Sequence, residues 1–171
     1  MKDTRKLAAI VFIDIVGYTS IMEKDESKAL EVLREKRDIL QKLISEYDGE
    51  HLKEIGDGDL MTFSSAITAV DFVSKLQEEI SKTEIFKIRA GVHLGDVVIE
   101  NDDVFGAGVN IASRLHVLAK PSQTVISDSI YMQIKNKPSF EIADLGKMKV
   151  KGVKEKLQVY CIGESDDIQE E

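Results

Sequence analysis

Asp14 stands near the end of the apolar run LAAIVFIDI, residues 7 to 15. A carboxylate there is costly to desolvate unless a cation neutralises it, so Asp14 either pairs with an arginine or a backbone turn, or binds a metal ion. Asp57 lies in 51-HLKEIGDGDLMTF-63, between Gly56 and Gly58, and is either an ordinary turn aspartate or a second oxygen ligand. Two carboxylates at one sheet edge make a hard-oxygen site suited to magnesium, which keeps coordination positions free for substrate phosphates. In 103-DVFGAGVNIASRLHVLA-119, Asn110 and Arg114 sit one helical turn apart and can act on one ligand. Such residues also serve as solvated surface, but a guanidinium is well shaped to hold charge on a phosphoryl group. Lys53, four residues before Asp57, is a further charge beside strands otherwise suited to a core.

These side chains need elements to position them. Residues 7 to 15 are apolar and β-branched, as in a strand buried on both faces. From Ser27 to Tyr47, Ala29, Leu33, Leu40, Leu43 and Ile44 recur near helical spacing, which predicts a long amphipathic helix. HLKEI and DLMTF meeting at Gly56-Asp57-Gly58 predict a hairpin, because glycine takes the positive φ angles of tight turns. A helix over Ala66 to Ile80 follows, then a second hairpin in IFKIRAGVHLGDVVIE turning near Leu94 to Asp96. A helix over Val109 to Leu118 buries Ile111, Leu115 and Leu118; TVIS reads as a strand, DSIYMQI as a short helix, SFEIADLG and LQVYCIG as closing strands. Strand, helix, hairpin, helix, strand is the order of an α+β ferredoxin-like sandwich, here with added C-terminal elements. In such a sheet the Asp14 strand and the Asp57 hairpin can be neighbours.

Composition narrows the function classes. At 171 residues, with no Pro/Gly/Ser-rich linker, the chain reads as one domain with a lead-in over 1–6 and an acidic end over 163–171. Hydrophobic residues make up 43% and charged residues 32%, as in an ordinary globular protein. A formal charge of -8 argues against nucleic acid as a partner, since phosphates call for a basic face. No apolar run reaches the roughly 20 residues of a spanning helix, and the start has no cleavage-site pattern. With Cys161 the single cysteine, these features predict a cytoplasmic location. The end, 164-ESDDIQEE-171, reads as a solvated tail or the stub of a linker. His51, His93 and His116 lack a common metal-ligand spacing and read as structural. No GxxxxGK[ST] pattern occurs.

Taken together, FIDIVGYT (12 to 19), KEIGD (53 to 57), DVFGAGVNIASR (103 to 114) and VKG (150 to 152) resemble the catalytic domain of the class III nucleotidyl cyclases, bacterial adenylate cyclases in particular. The resemblance runs from about Leu7 to Ile162. It implies conversion of ATP to cyclic AMP and pyrophosphate, with two magnesium or manganese ions per site held by Asp14, Asp57 and the backbone carbonyl of Ile15. It also implies that Lys53 and Asp103 read adenine, Lys53 donating to the ring N1 and Asp103 accepting from the 6-amino group. Asn110 would orient the ribose and Arg114 would stabilise charge on the α-phosphate. Lys151 and the backbone of Gly17, Tyr18 and Thr19, with Val16 before them, would hold the triphosphate. Because family members build each site from two chains and this chain carries both halves, the resemblance implies a homodimer with two equivalent sites. A regulatory domain outside this chain is a further expectation.

Three positions depart from the pattern. Asp96 stands where vertebrate membrane-bound enzymes place a phosphate-contacting arginine. Asp59 is a charge where an apolar residue is expected, and reads as a turn residue facing water or a modifier of the metal site. Val153 replaces a second lysine of the late motif. The rival reading is a nucleotide-binding or dimerisation module without turnover, which predicts a lost metal, base or transition-state position; none is lost.

Overall fold

The computed structural model describes residues 4–101, 103–137 and 139–163. The acidic end at 164–171 therefore lies outside the described residues. The elements run β1 (Thr4–Ile15), α1 (Tyr18–Lys24), α2 (Glu26–Glu46), β2 (Glu50–Ile55), β3 (Gly58–Phe63), α3 (Ala66–Thr83), β4 (Ile88–Glu100), β5 (Asp103–Phe105) and α4 (Ala107–Leu115). A 3-10 turn (His116–Leu118), β6 (Thr124–Ser127), α5 (Asp128–Ile134), β7 (Ile142–Met148) and β8 (Leu157–Ile162) complete the chain.

One mixed sheet carries the strands in the order β2-β3-β1-β4-β6-β8-β7, with β5 paired to β4. Its first four strands have the β2-β3-β1-β4 arrangement of a ferredoxin-like unit, and β6, β7 and β8 extend it, as an α+β fold with added elements should. β1 alternates strictly. Ala9, Val11, Ile13 and Ile15 join the core under α2, α3 and α5 with Leu40, Leu43, Phe72, Leu76 and Ile130. Ala8, Ile10 and Phe12 face the opposite side, packing with Leu60, Val97 and Ala112 of α4. Asp14, two residues beyond Phe12, continues that second row.

The expected hairpin turn at Leu94 to Asp96 does not form. β4 is one strand of 13 residues, and Ala8 and Leu7 of β1 pair with Gly95 and Asp96. Gly95 serves a close approach instead: a Cβ there would lie 3.1 Å from the Gly108 Cα of α4. The chain reverses later, at Asn101 with φ 49°, to lay β5 on β4. The short helix α1, which sequence periodicity did not reveal, starts directly after Gly17. Among the described residues no helix is long and apolar enough to cross a membrane.

Candidate active site

The β2–β3 turn docks on the end of β1. Asp57 Oδ2 accepts a hydrogen bond of 2.9 Å from the backbone N–H of Ile15, which brings Asp14, Ile15 and Asp57 into one neighbourhood. Asp14 faces Arg89, its cross-strand partner on β4. Nε of Arg89 donates to Oδ1 at 3.2 Å and Nη2 to Oδ2 at 2.9 Å. His116 Nε2, just past α4, lies 3.0 Å from the same Oδ2. Burial pushes the Asp14 carboxyl up, but the hydrogen bonds from His116 and Arg89 outweigh it and hold the group below its ordinary value. Asp14 is thus ionised and 19% exposed, and it makes the arginine pair that the sequence offered as the alternative to metal binding: Arg89 and His116 engage both of its oxygens. A divalent ion held by Asp14 and the nearby Asp57 carboxylate would share these hard oxygens with Arg89 and His116. Among the described residues no three His, Cys, Asp or Glu side chains group as metal ligands, so the candidate centre rests on two carboxylates and a backbone carbonyl.

Beside it a cavity of about 380 Å³ is lined in part by Val16, Gly17, Arg89 and Lys120. Gly17 is the N-cap of α1, and Tyr18 and Thr19 are the helix's first two residues. The Val16 N–H is already used, donating to the Lys87 carbonyl at 2.9 Å, so it is removed from the expected phosphate cradle.

The two residues expected to read the base form a pair of their own. Lys53 Nζ donates to Asp103 Oδ1 at 3.1 Å, with both side chains nearly half exposed, 43% and 47%. The Val104 N–H donates to the same oxygen at 2.8 Å. That amide first, and Lys53 second, keep the Asp103 carboxyl below its usual range.

Asn110 and Arg114 project from α4 one turn apart, and Asn110 is exposed. The Arg114 guanidinium donates through Nη1 to the backbone carbonyl of Lys151. It also lies over Gly152, where φ is +80° and a Cβ would collide with the guanidinium. The VKG segment therefore seats Arg114 with its backbone, while the Lys151 residue is exposed.

Sequence reading missed several of these contacts. Arg89 and His116 hold Asp14, and Lys120 lines the cavity; only the register of β1 on β4 and the packing of α4 reveal them. Asp59 is not a turn residue facing water. It is 1% exposed and paired with Lys36 Nζ at 2.6 Å and His51 Nε2 at 2.7 Å. Asp96 is exposed opposite Leu7, seven positions along β4 from Arg89. His93 is structural as read, with Nδ1 2.7 Å from Ser127 Oγ.

Comparison with known proteins gives consistent results. Residues 2–164 match the family model described as adenylate and guanylate cyclase catalytic domain. A Rhizobium meliloti (strain 1021) protein named "Putative adenylate cyclase 3" is 33% identical over 97% of this chain, which spans 30% of that protein. An adenylate cyclase of Streptomyces coelicolor is 32% identical over 73% of this chain and 33% of its own length. The crystal structure of an adenylate/guanylate cyclase/hydrolase from Silicibacter pomeroyi superposes with a TM-score of 0.88 at 28% identity, covering 96% of this chain and all of that one.

Proposed function

Because this chain belongs to the adenylate and guanylate cyclase catalytic domain family, we propose that it converts ATP to 3′,5′-cyclic AMP and pyrophosphate at sites shared between two copies. The reaction joins the ribose 3′-oxygen to the α-phosphorus, breaks the bond to the β-phosphate bridge and releases the hydroxyl proton to solvent. The observation that carries the adenine reading is the Lys53–Asp103 pair at 3.1 Å. One donor and one acceptor, side by side at an exposed edge, match the ring N1 and 6-amino group of adenine. Guanine presents the reverse pattern there and would leave both groups mismatched.

Arg114, held by the Lys151 carbonyl, is aimed before substrate arrives, so charge on the α-phosphate meets a donor that needs no reorganisation. Asn110, on the same helix face, orients the ribose. Lys120, which lines the cavity beside Gly17 and the start of α1, offers positive charge to the outer phosphates, while Arg89 stays paired with Asp14. Asp14, Asp57 and the Ile15 carbonyl would hold two magnesium or manganese ions, which when bound lower the pKa of the 3′-hydroxyl and neutralise the leaving phosphates. This one chain carries both the metal residues and the base residues, so if each site draws on two chains, as the resemblance implies, a homodimer would hold two equivalent composite sites. A regulatory segment joined to this domain, suggested by the greater length of the relatives, and a cytoplasmic location complete the proposal.

The test is direct. Purified chain with manganese and either ATP or GTP is assayed for cyclic product by chromatography. Cyclic AMP from ATP, at a kcat/KM well above that for GTP, is expected. Preferential cyclic GMP, or no product from either nucleotide by a folded dimer, overturns the reading.

A further inference from the structure

Lys36 lies mid-way along α2 with its side chain fully buried, and the chemistry proposed above makes no use of it. Its Nζ is 2.6 Å from Asp59 Oδ2 and also donates to the backbone carbonyl of Asp57 at 3.0 Å. Asp59 Oδ1 meets His51 Nε2 at 2.7 Å, so the carboxylate is held from two sides. Burying an ammonium is costly, and well-packed apolar residues in place of a buried ion pair are often as stable or more so. Stability is therefore a weak account of this group. Placement is a better one.

The ammonium grips the β2–β3 hairpin at Asp57 and at Asp59, on either side of Gly58. The Asp57 carbonyl it holds belongs to the residue whose carboxylate reaches the Ile15 N–H. Fixing one end of a residue's polar groups fixes the direction of the other, as supporting hydrogen bonds do for metal ligands generally. We infer that Lys36 is a positioning residue for the metal half of the site, setting the Asp57 carboxylate through its backbone while Asp59 and His51 hold the lysine in place. The inference rests on the reading of Asp57 as a metal ligand.

The experiment measures manganese affinity by electron paramagnetic resonance in saturating 3′-deoxy-ATP, which lacks the attacking hydroxyl. Wild type is compared with Asp57→Ala and with Lys36→Met/Asp59→Asn, and urea unfolding is followed in parallel. The double variant removes both buried charges, so its urea midpoint stays near that of wild type, whereas a merely structural pair would leave metal binding intact. We expect manganese affinity to fall at least tenfold in both variants. Loss in Asp57→Ala with wild-type affinity in Lys36→Met/Asp59→Asn overturns the inference and leaves the metal reading standing. Wild-type affinity in Asp57→Ala overturns the metal reading and the inference with it. Should the double variant not fold, Lys36→Arg keeps the charge and shifts the donor from the Asp57 carbonyl; a threefold or greater loss of affinity supports the inference, and no loss overturns it.

Discussion

Lys53 Nζ and Asp103 Oδ1 lie 3.1 Å apart across 50 residues of chain, on strands that are not neighbours in the sheet. The pair is made before any nucleotide is bound, and each member satisfies the other's charge. An incoming base must therefore replace their mutual bond with two of its own, which favours a base offering an acceptor to Lys53 and a donor to Asp103.

Lys53→Glu with Asp103→Cys should reverse this preference. Replacing a charged donor and a charged acceptor at the base edge predicts a loss in kcat/KM for ATP of roughly tenfold or more, with GTP use rising. Steady-state kinetics with both nucleotides checks this. An unchanged ATP preference would remove Lys53 and Asp103 from base recognition.

Mixing tests the shared site. Asp14→Asn and Arg114→Ala proteins are each expected to be inactive, since one lacks a proposed metal ligand and the other the proposed phosphate donor. Combined under conditions where subunits exchange, they should recover about a quarter of wild-type activity, from one intact composite site in half of the dimers if pairing is random. Recovery of nothing, with exchange verified, would place both residues in a site within one chain.

Gly152→Ala should act on catalysis through Arg114. The added methyl meets the guanidinium, and the φ of +80° penalises any side chain by about 1 kcal/mol. A fall in kcat of tenfold or more, with a smaller change in KM, is expected if Arg114 acts on the transition state as proposed. Wild-type kcat in a protein of slightly lower thermal midpoint would separate Gly152 from Arg114.

His93 predicts an acid limb in stability. Burial lowers its pKa from 6.5 to about 4, so the unfolded chain takes up a proton that the folded chain refuses between those values. Stability from this group is complete above pH 6.5 and is lost as pH falls toward 4, by about 3 kcal/mol in total. Thermal midpoints measured from pH 7 to 4 should fall less steeply in His93→Gln, and an NMR titration of the His93 ring should have its midpoint near 4. A midpoint near 6.5 would contradict the burial argument.

The sequence made the helices around Lys36 and Leu76, the Asp57 hairpin and the closing strands readable, because their periodicity and turn residues are local. The closeness of the Asp57 hairpin to the Asp14 strand followed from the order of the elements, and that of Lys53 to Asp103 from the resemblance of the ordered motifs; neither followed from spacing. Contacts set by register were not readable: Arg89 opposite Asp14 depends on how β1 slides along β4, and His116 on where α4 ends. Gly95-Asp96 imitated a turn because glycine signals both a reversal and a close helix. Asp59 did carry a signal that went unused. It alternates with Met61 and Phe63 toward α2, and Lys36 falls on the α2 stripe of Ala29, Val32, Leu40 and Leu43.

The antiparallel ladder of β1 on β4 also has a kinetic side. Asp14 and Arg89 are 75 residues apart, so the middle of the sheet closes a long loop, and the entropy of that closure comes due before its contacts repay it. During synthesis β1 has β3 to pair with first, and β4 only after a third helix has emerged. Arg114 waits longer still, for the carbonyl of Lys151, a delay of some seconds at roughly 5–20 residues per second. The ferredoxin-like half of the sheet can therefore form before Arg114 finds its seat on the Lys151 carbonyl, and only β8, which joins β6 to β7, emerges later.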